Sequence, residues 1–91
     1  MSDDEEQRIA LAENAAENEI ALLMHDLSPR VIRALLKNRN ITEEHILIIA
    51  NRKNLPAEVL DRIFRDLRWT ESYPVRLALA KNPKTPLFTA L

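Results

Sequence analysis

ALLKNRNIT (34–42), IIANRKNLP (48–56) and ALAKNPKTP (78–86) are three versions of one phrase: an apolar helical run, an asparagine, a short basic loop, then Thr or Pro opening the next run. Each has the form of a helical-hairpin turn. Stacked hairpins make an α-solenoid, which buries one continuous core and leaves long faces for partners. Asparagine is second only to glycine as the left-handed residue that closes a helix, so Asn38, Asn51 and Asn82 are expected in that role. The alternative is that their amides line a ligand groove.

The apolar periods on either side of these turns outline the helices. Residues 5–27 read as one long helix, with Ile9, Ala12, Ala16, Ile20, Leu23 and Leu27 at three- and four-residue steps and Leu11, Ala15 and Leu22 widening the stripe. Alanines at its middle allow a neighbour to approach closely. Ser28-Pro29 restarts the chain as a second helix facing inward through Val31, Ile32, Leu35 and Leu36. A third opens at Thr42, and its body, residues 46–50, is apolar on every side, the pattern of a fully buried helix. A fourth follows Pro56, with Val59, Leu60, Ile63, Phe64 and Leu67 on one face. After a connector at 68–73, a fifth begins at Pro74 with Val75, Ala78 and Leu79 inward. Thr85-Pro86 opens a stub ending at Leu91. The core is expected around Leu35, Ile46, Ile49, Leu60, Ile63 and Leu79.

Composition narrows the chemistry. The 91 residues are 46% apolar with four aromatics, so the core is aliphatic. Glycine is absent, which excludes the P-loop, the dinucleotide fingerprint and the nucleophile elbow. Without cysteine there is no disulfide, thiolate metal site or thiol nucleophile. The start, MSDDEEQR, is acidic where a secretory signal is basic, and no apolar run approaches the ~20 residues of a membrane helix. A cytoplasmic, non-membrane protein is expected.

The net charge of −1 hides a polarity. Residues 1–28 carry eight acids against Arg8, a net −7, whereas residues 29–91 carry twelve basic and six acidic side chains, a net +6. Halves so opposed attract, within a chain or between chains. If successive helices run up and down, the loop cations Arg52 and Lys53 share one end of the stack with Lys81 and Lys84, and Lys37 and Arg39 share the other with Arg68. The bland reading is a solvated rim. The functional one is a site for an anionic partner, nucleic acid included. Trp69 and Tyr73 pack the connector or, beside arginine, anchor an interface.

No catalytic constellation stands out. His25 and His45 lack the Glu three residues earlier that a di-metal bundle needs, since Leu22 and Thr42 stand there. Glu43 and Glu44 are explained by the helix dipole. Ser2, Ser28 and Ser72 have no base nearby in sequence. No catalytic, cofactor or metal residue is therefore assigned.

SYPVRLALAKNPKTPL (72–87) resembles bacterial α-helical repeats of the HEAT-like and leucine-rich-repeat-variant kind, in which a "VRLALA" helix meets an "NP-x-TP" turn. SPRVIRALLKNRNIT (28–42) is a looser copy with Arg39 at the turn-proline position, and NRKNLPAEVL (51–60) is similar to the segment opening the next helix. The resemblance covers residues 28–91 and implies a right-handed helical stack serving as an adaptor, with no catalytic residue to transfer. The expectation is an all-α, HEAT-like solenoid of five helices plus a C-terminal stub, in which helix 1–27 caps repeats spanning 28–91. Its expected function is non-catalytic: a protein-interaction or scaffold module, with nucleic-acid binding through the basic loops as the alternative. Leu87, Phe88 and Leu91 on a stub too short to cover the fifth helix predict a homodimer.

Overall fold

The structure is a computed structural model and describes residues 2–86. These residues form six helices and no strand: α1 (Ser2–Asn14), α2 (Glu17–Leu23), α3 (Pro29–Leu36), α4 (Glu43–Ala50), α5 (Ala57–Arg65) and α6 (Tyr73–Lys81). The protein is all-α. It divides into two compact units, Met1–His45 and Ile46–Leu91. The expected stub, with Leu87, Phe88 and Leu91, lies outside the described residues. No helix among the described residues is long and apolar enough to cross a membrane.

In the first unit, the helix expected over 5–27 is two helices, which raises the count from five to six. The break falls at Ala15 and Ala16, although alanine is the best helix former. Its cause lies in side chains from elsewhere. The Ala15 carbonyl accepts from Asn38 Nδ2 at 2.9 Å and from Asn40 Nδ2 at 3.1 Å, and the Ala16 N–H donates to the Glu19 carboxylate at 2.9 Å. With these groups satisfied, the backbone at Ala16 is extended (φ −75°, ψ 168°) at no cost in unpaired polar groups.

Small residues at this break let α1 pack closely on α3, and α2 touches both. Ala12, Ala15, Ile20, Met24, Val31, Ile32, Leu35 and Leu36 are buried. Leu11, Leu22 and Leu27 are exposed, contrary to the expected stripe; α2 has already ended when the chain reaches Leu27. Two ion pairs fasten α1 to the α2–α3 connector and the start of α3: Arg8 to Asp26 at 2.7 Å and Glu5 to Arg30 at 3.0 Å. Ser28 is the N-cap of α3 with Pro29 next, but its hydroxyl donates to Glu5 instead of serving the helix. Thr42 and His45 form a reciprocal cap at the start of α4. The Thr42 N–H donates to His45 Nδ1 at 3.1 Å, and the His45 N–H donates to Thr42 Oγ1 at 3.4 Å.

In the second unit, Ile46, Ile49, Ala50, Leu55, Val59, Leu60, Ile63, Val75, Ala78 and Leu79 are buried. Helix α4 is not enclosed as its all-apolar sequence predicts, because Ile48 is 41% exposed. Helix α5 packs against α6 and stops at Arg65. The Asp66 carbonyl then accepts from the Trp69 and Thr70 N–H groups and the Thr70 hydroxyl, while its carboxylate accepts from the Arg68 N–H. This tight turn carries Leu67 outward to 90% exposure, where the apolar period placed it inward. Helix α6 opens at Tyr73, one residue before the expected Pro74, with Ser72 Oγ accepting from the Val75 N–H at 3.3 Å and proline in its first turn.

Candidate functional site

The candidate surface is organised by a buried asparagine. In the second unit, Asn82 follows α6 and its Nδ2 donates to the carbonyls of Ala50 and Arg52, both at 2.7 Å, while its Oδ1 accepts from the Lys84 N–H at 2.9 Å. Both amide hydrogens and the amide oxygen are used, which fixes the orientation of the group. The carbonyl of Ala50 is among those a helix end leaves without an intrahelical partner, and that of Arg52 belongs to the loop that follows, so Asn82 completes the C-terminus of α4 from outside it. The first unit contains the same device 44 positions earlier. Asn38 Nδ2 donates to Ala12 O at 2.8 Å and Ala15 O at 2.9 Å, and Asn38 Oδ1 accepts from the Asn40 N–H at 2.7 Å.

These bonds correct the expected role of the asparagines. No non-glycine residue among those described has positive φ, and Asn82 itself has φ −81° and ψ 120°. An asparagine whose amide is committed to another helix does not need the left-handed turn. Asn51 differs from both: it is exposed, and its amide donates to Leu47 O at 2.8 Å within its own helical end.

The clamp determines where several loop cations stand. By tying the chain after α6 to residues 50–52, Asn82 places Arg52 and Lys53 beside Lys81 and Lys84 at one end of α4 and α6. Arg52 Nε donates to Asn54 Oδ1 at 3.2 Å. Lys53, Lys81 and Lys84 are exposed, and none is in an ion pair with a described residue. Lys37 and Arg39 flank Asn38 in the first unit, also exposed. Arg68 is engaged locally. Its guanidinium holds Asp66 at 2.8 Å and lies 5.4 Å from the centre of the Trp69 ring. The hydrogen bonds from the Arg68 guanidinium, then its backbone N–H and its charge, hold the Asp66 carboxyl below its ordinary value against the opposing effect of burial. Trp69 is half-buried with Nε1 enclosed, whereas Tyr73 is 66% exposed and does not pack the connector.

Between α4 and α6 runs an open groove of about 250 Å³. Leu47, Pro74, Leu77 and Ala78 supply its apolar lining; Asn51 and Lys81 stand toward the clamped end. On α6, Pro74, Leu77 and Lys81 recur at steps of three and four, one turn of face away from the buried Val75, Ala78 and Leu79. Leu77 is 39% exposed. The groove was not anticipated from sequence, although the exposed Leu77 falls outside the inward stripe and signals it. The described residues of its lining include no acid–base pair and no nucleophile paired with a base. Among the described residues no group of three or more His, Cys, Asp or Glu side chains is placed to hold a metal ion. No family model, curated protein or solved structure matches this chain.

Proposed function

We propose that this chain is a non-catalytic protein-interaction module, built as a short HEAT-like stack of helices and working in the cytoplasm. The observation that carries the reading is the apolar groove between α4 and α6, whose floor of Leu47, Pro74, Leu77 and Ala78 leaves leucine surface open to solvent. At about 250 Å³ and open along its length, it falls below the ~300–1,000 Å³ of small-molecule sites and suits side chains of a macromolecular partner. The clamp repeated at Asn38 and Asn82 supports the stacked-repeat part of the reading. The test is a partner recovered from host extract, identified, and reconstituted from purified components. It should bind the wild-type chain and not Leu77→Asp. A partner indifferent to Leu77→Asp removes the groove from the proposal.

Nucleic-acid binding is the second reading, favoured by the exposed Lys53, Lys81 and Lys84 gathered at one end. Titration with DNA and RNA at two salt concentrations separates the two. Micromolar binding that weakens steeply with salt favours the nucleic acid; no binding at low salt eliminates it.

A further inference from the structure

We infer that the α4–α6 groove takes an amphipathic helix from a partner protein, with the acidic N-terminal turn of that helix against Lys81. This rests on the reading of the chain as a protein-binding module and names the chemistry and polarity of its partner. The described residues offer no strand edge for β-augmentation, so a groove between helices accepts another helix through apolar side chains at steps of three and four. Leu47, Pro74, Leu77 and Ala78 receive those side chains.

Charge sets the direction. Lys81 lines the groove at the end where the Asn82 clamp also holds Lys84, Arg52 and Lys53, and none of the described residues that line it is a carboxylate. Glutamate or aspartate on the partner therefore belongs at that end. Acidic residues are most stable in the first turn of a helix. The same end of the groove is formed by the C-termini of α4 and α6, whose partial negative charge favours the positive N-terminal end of an incoming helix. Both effects orient the partner antiparallel to α6.

The apolar lining is not a by-product of the clamp. In α3, the positions 44 residues before Pro74, Leu77, Ala78 and Lys81 hold Arg30, Arg33, Ala34 and Lys37. Arg30 is there bound to Glu5. A helix ending in the same clamp thus tolerates charge at these places, and the second unit carries proline and leucine instead.

The probes are two synthetic 16-residue helical peptides with the same leucine face, one with glutamates and one with lysines in the first turn. They are titrated into the full ¹⁵N-labelled chain at low salt. The glutamate peptide should bind more tightly and shift the amides of Leu47, Asn51, Leu77 and Lys81. A spin label at its N-terminus should broaden Lys81, and one at its C-terminus the residues near Pro74. Leu77→Asp should abolish binding. Lys81→Glu, on an exposed side chain, should weaken it about threefold or more and reduce the preference for the glutamate peptide. Equal binding of both peptides, or labels reporting the opposite polarity, overturns the inference and leaves the groove a protein site. Neither peptide binding, while a reconstituted partner still depends on Leu77, also overturns it and leaves the interaction reading intact. If no protein partner depends on Leu77, both fail together. A dimer in light scattering that Leu77→Asp dissociates assigns the groove to a second copy and overturns the inference, as does displacement of the peptide by a short oligonucleotide.

Discussion

The side-chain amide of Asn82 donates to the carbonyl of Ala50 at 2.7 Å, closing the end of one helix with a residue that follows another. A second donation to Arg52 O and an acceptance from the Lys84 N–H give both amide hydrogens and the amide oxygen a partner. Removing it strands the buried carbonyl of Ala50 and the part-buried one of Arg52, and a buried carbonyl costs about 1–3 kcal/mol when unpaired. Asn82→Ala and Asn38→Ala are therefore expected to lower stability by about 2–4 kcal/mol in urea unfolding. Asn82→Asp should do at least as much damage, since it replaces both donors with a charge facing carbonyl oxygens. Asn51→Ala, exposed and bonded only within its own helix end, should stay within about 0.5 kcal/mol of wild type. Equal losses at positions 51 and 82 would mean that the clamp is not the stabilising element.

The buried set makes a sharper contrast in the second unit. Ile49 is fully buried, and truncation to alanine removes aliphatic surface and leaves a cavity, so Ile49→Ala should cost about 2–5 kcal/mol. Leu67, one apolar residue among several on the expected inward face of α5, is 90% exposed, and Leu67→Ala should change stability by less than about 0.5 kcal/mol. Thermal melts of the two variants decide whether α5 ends at Arg65, as the Asp66 turn requires, or continues through Leu67.

What was legible in the sequence, and what was not, follows the range of the forces involved. All six residues named for the core (Leu35, Ile46, Ile49, Leu60, Ile63 and Leu79) are buried, because helical periodicity reports which side of a helix meets its neighbours. That signal is local. The break at Ala15–Ala16 was not, because its partners stand 23 and 25 residues away at Asn38 and Asn40, and no glycine or proline marks the spot. The asparagines carried a signal that was readable but unread. Val31, Leu35 and Asn38, like Val75, Leu79 and Asn82, step four then three residues along one buried stripe, so the amide arrives in the interior. Asn51 lies off the stripe of Ile46, Ile49 and Ala50, and it alone of the three is exposed. The groove depends on which face of α4 is left uncovered, which an all-apolar run cannot reveal.

Thr42 and His45 form a capping box with imidazole in the position usually held by Glu or Gln. Thr42→Ala removes the acceptor of the His45 N–H and should cost about 0.5–2 kcal/mol. His45→Leu fills the buried site but cannot accept from the Thr42 N–H, so hydrogen exchange at the Thr42 amide should accelerate even if global stability is preserved. Unchanged exchange at Thr42 in that variant would show that the ring fills space and does not cap.

Acid should reveal the Asp66–Arg68 turn. The carboxyl of Asp66 is held below its ordinary value by hydrogen bonds from the Arg68 guanidinium and N–H and by the charge of that side chain. A carboxylate with a depressed value in the folded state contributes stability that is fully present above its unfolded value. That contribution is lost as the pH falls from the unfolded value through the folded one, because the unfolded chain takes up the proton first. Stability measured by urea unfolding should thus decline across the acid range, about pH 5 to 2, and part of that decline should disappear in Asp66→Asn. Arg68→Ala should flatten it similarly, since it removes the causes of the shift while leaving the carboxyl in place. Salt should weaken the Coulombic part, because the pair lies near the surface, where charges more than about 10 Å apart are screened at 0.1 M and closer ones lose part of their attraction. Wild type and Asp66→Asn running parallel through the whole acid limb would show that this turn does not couple protonation to folding.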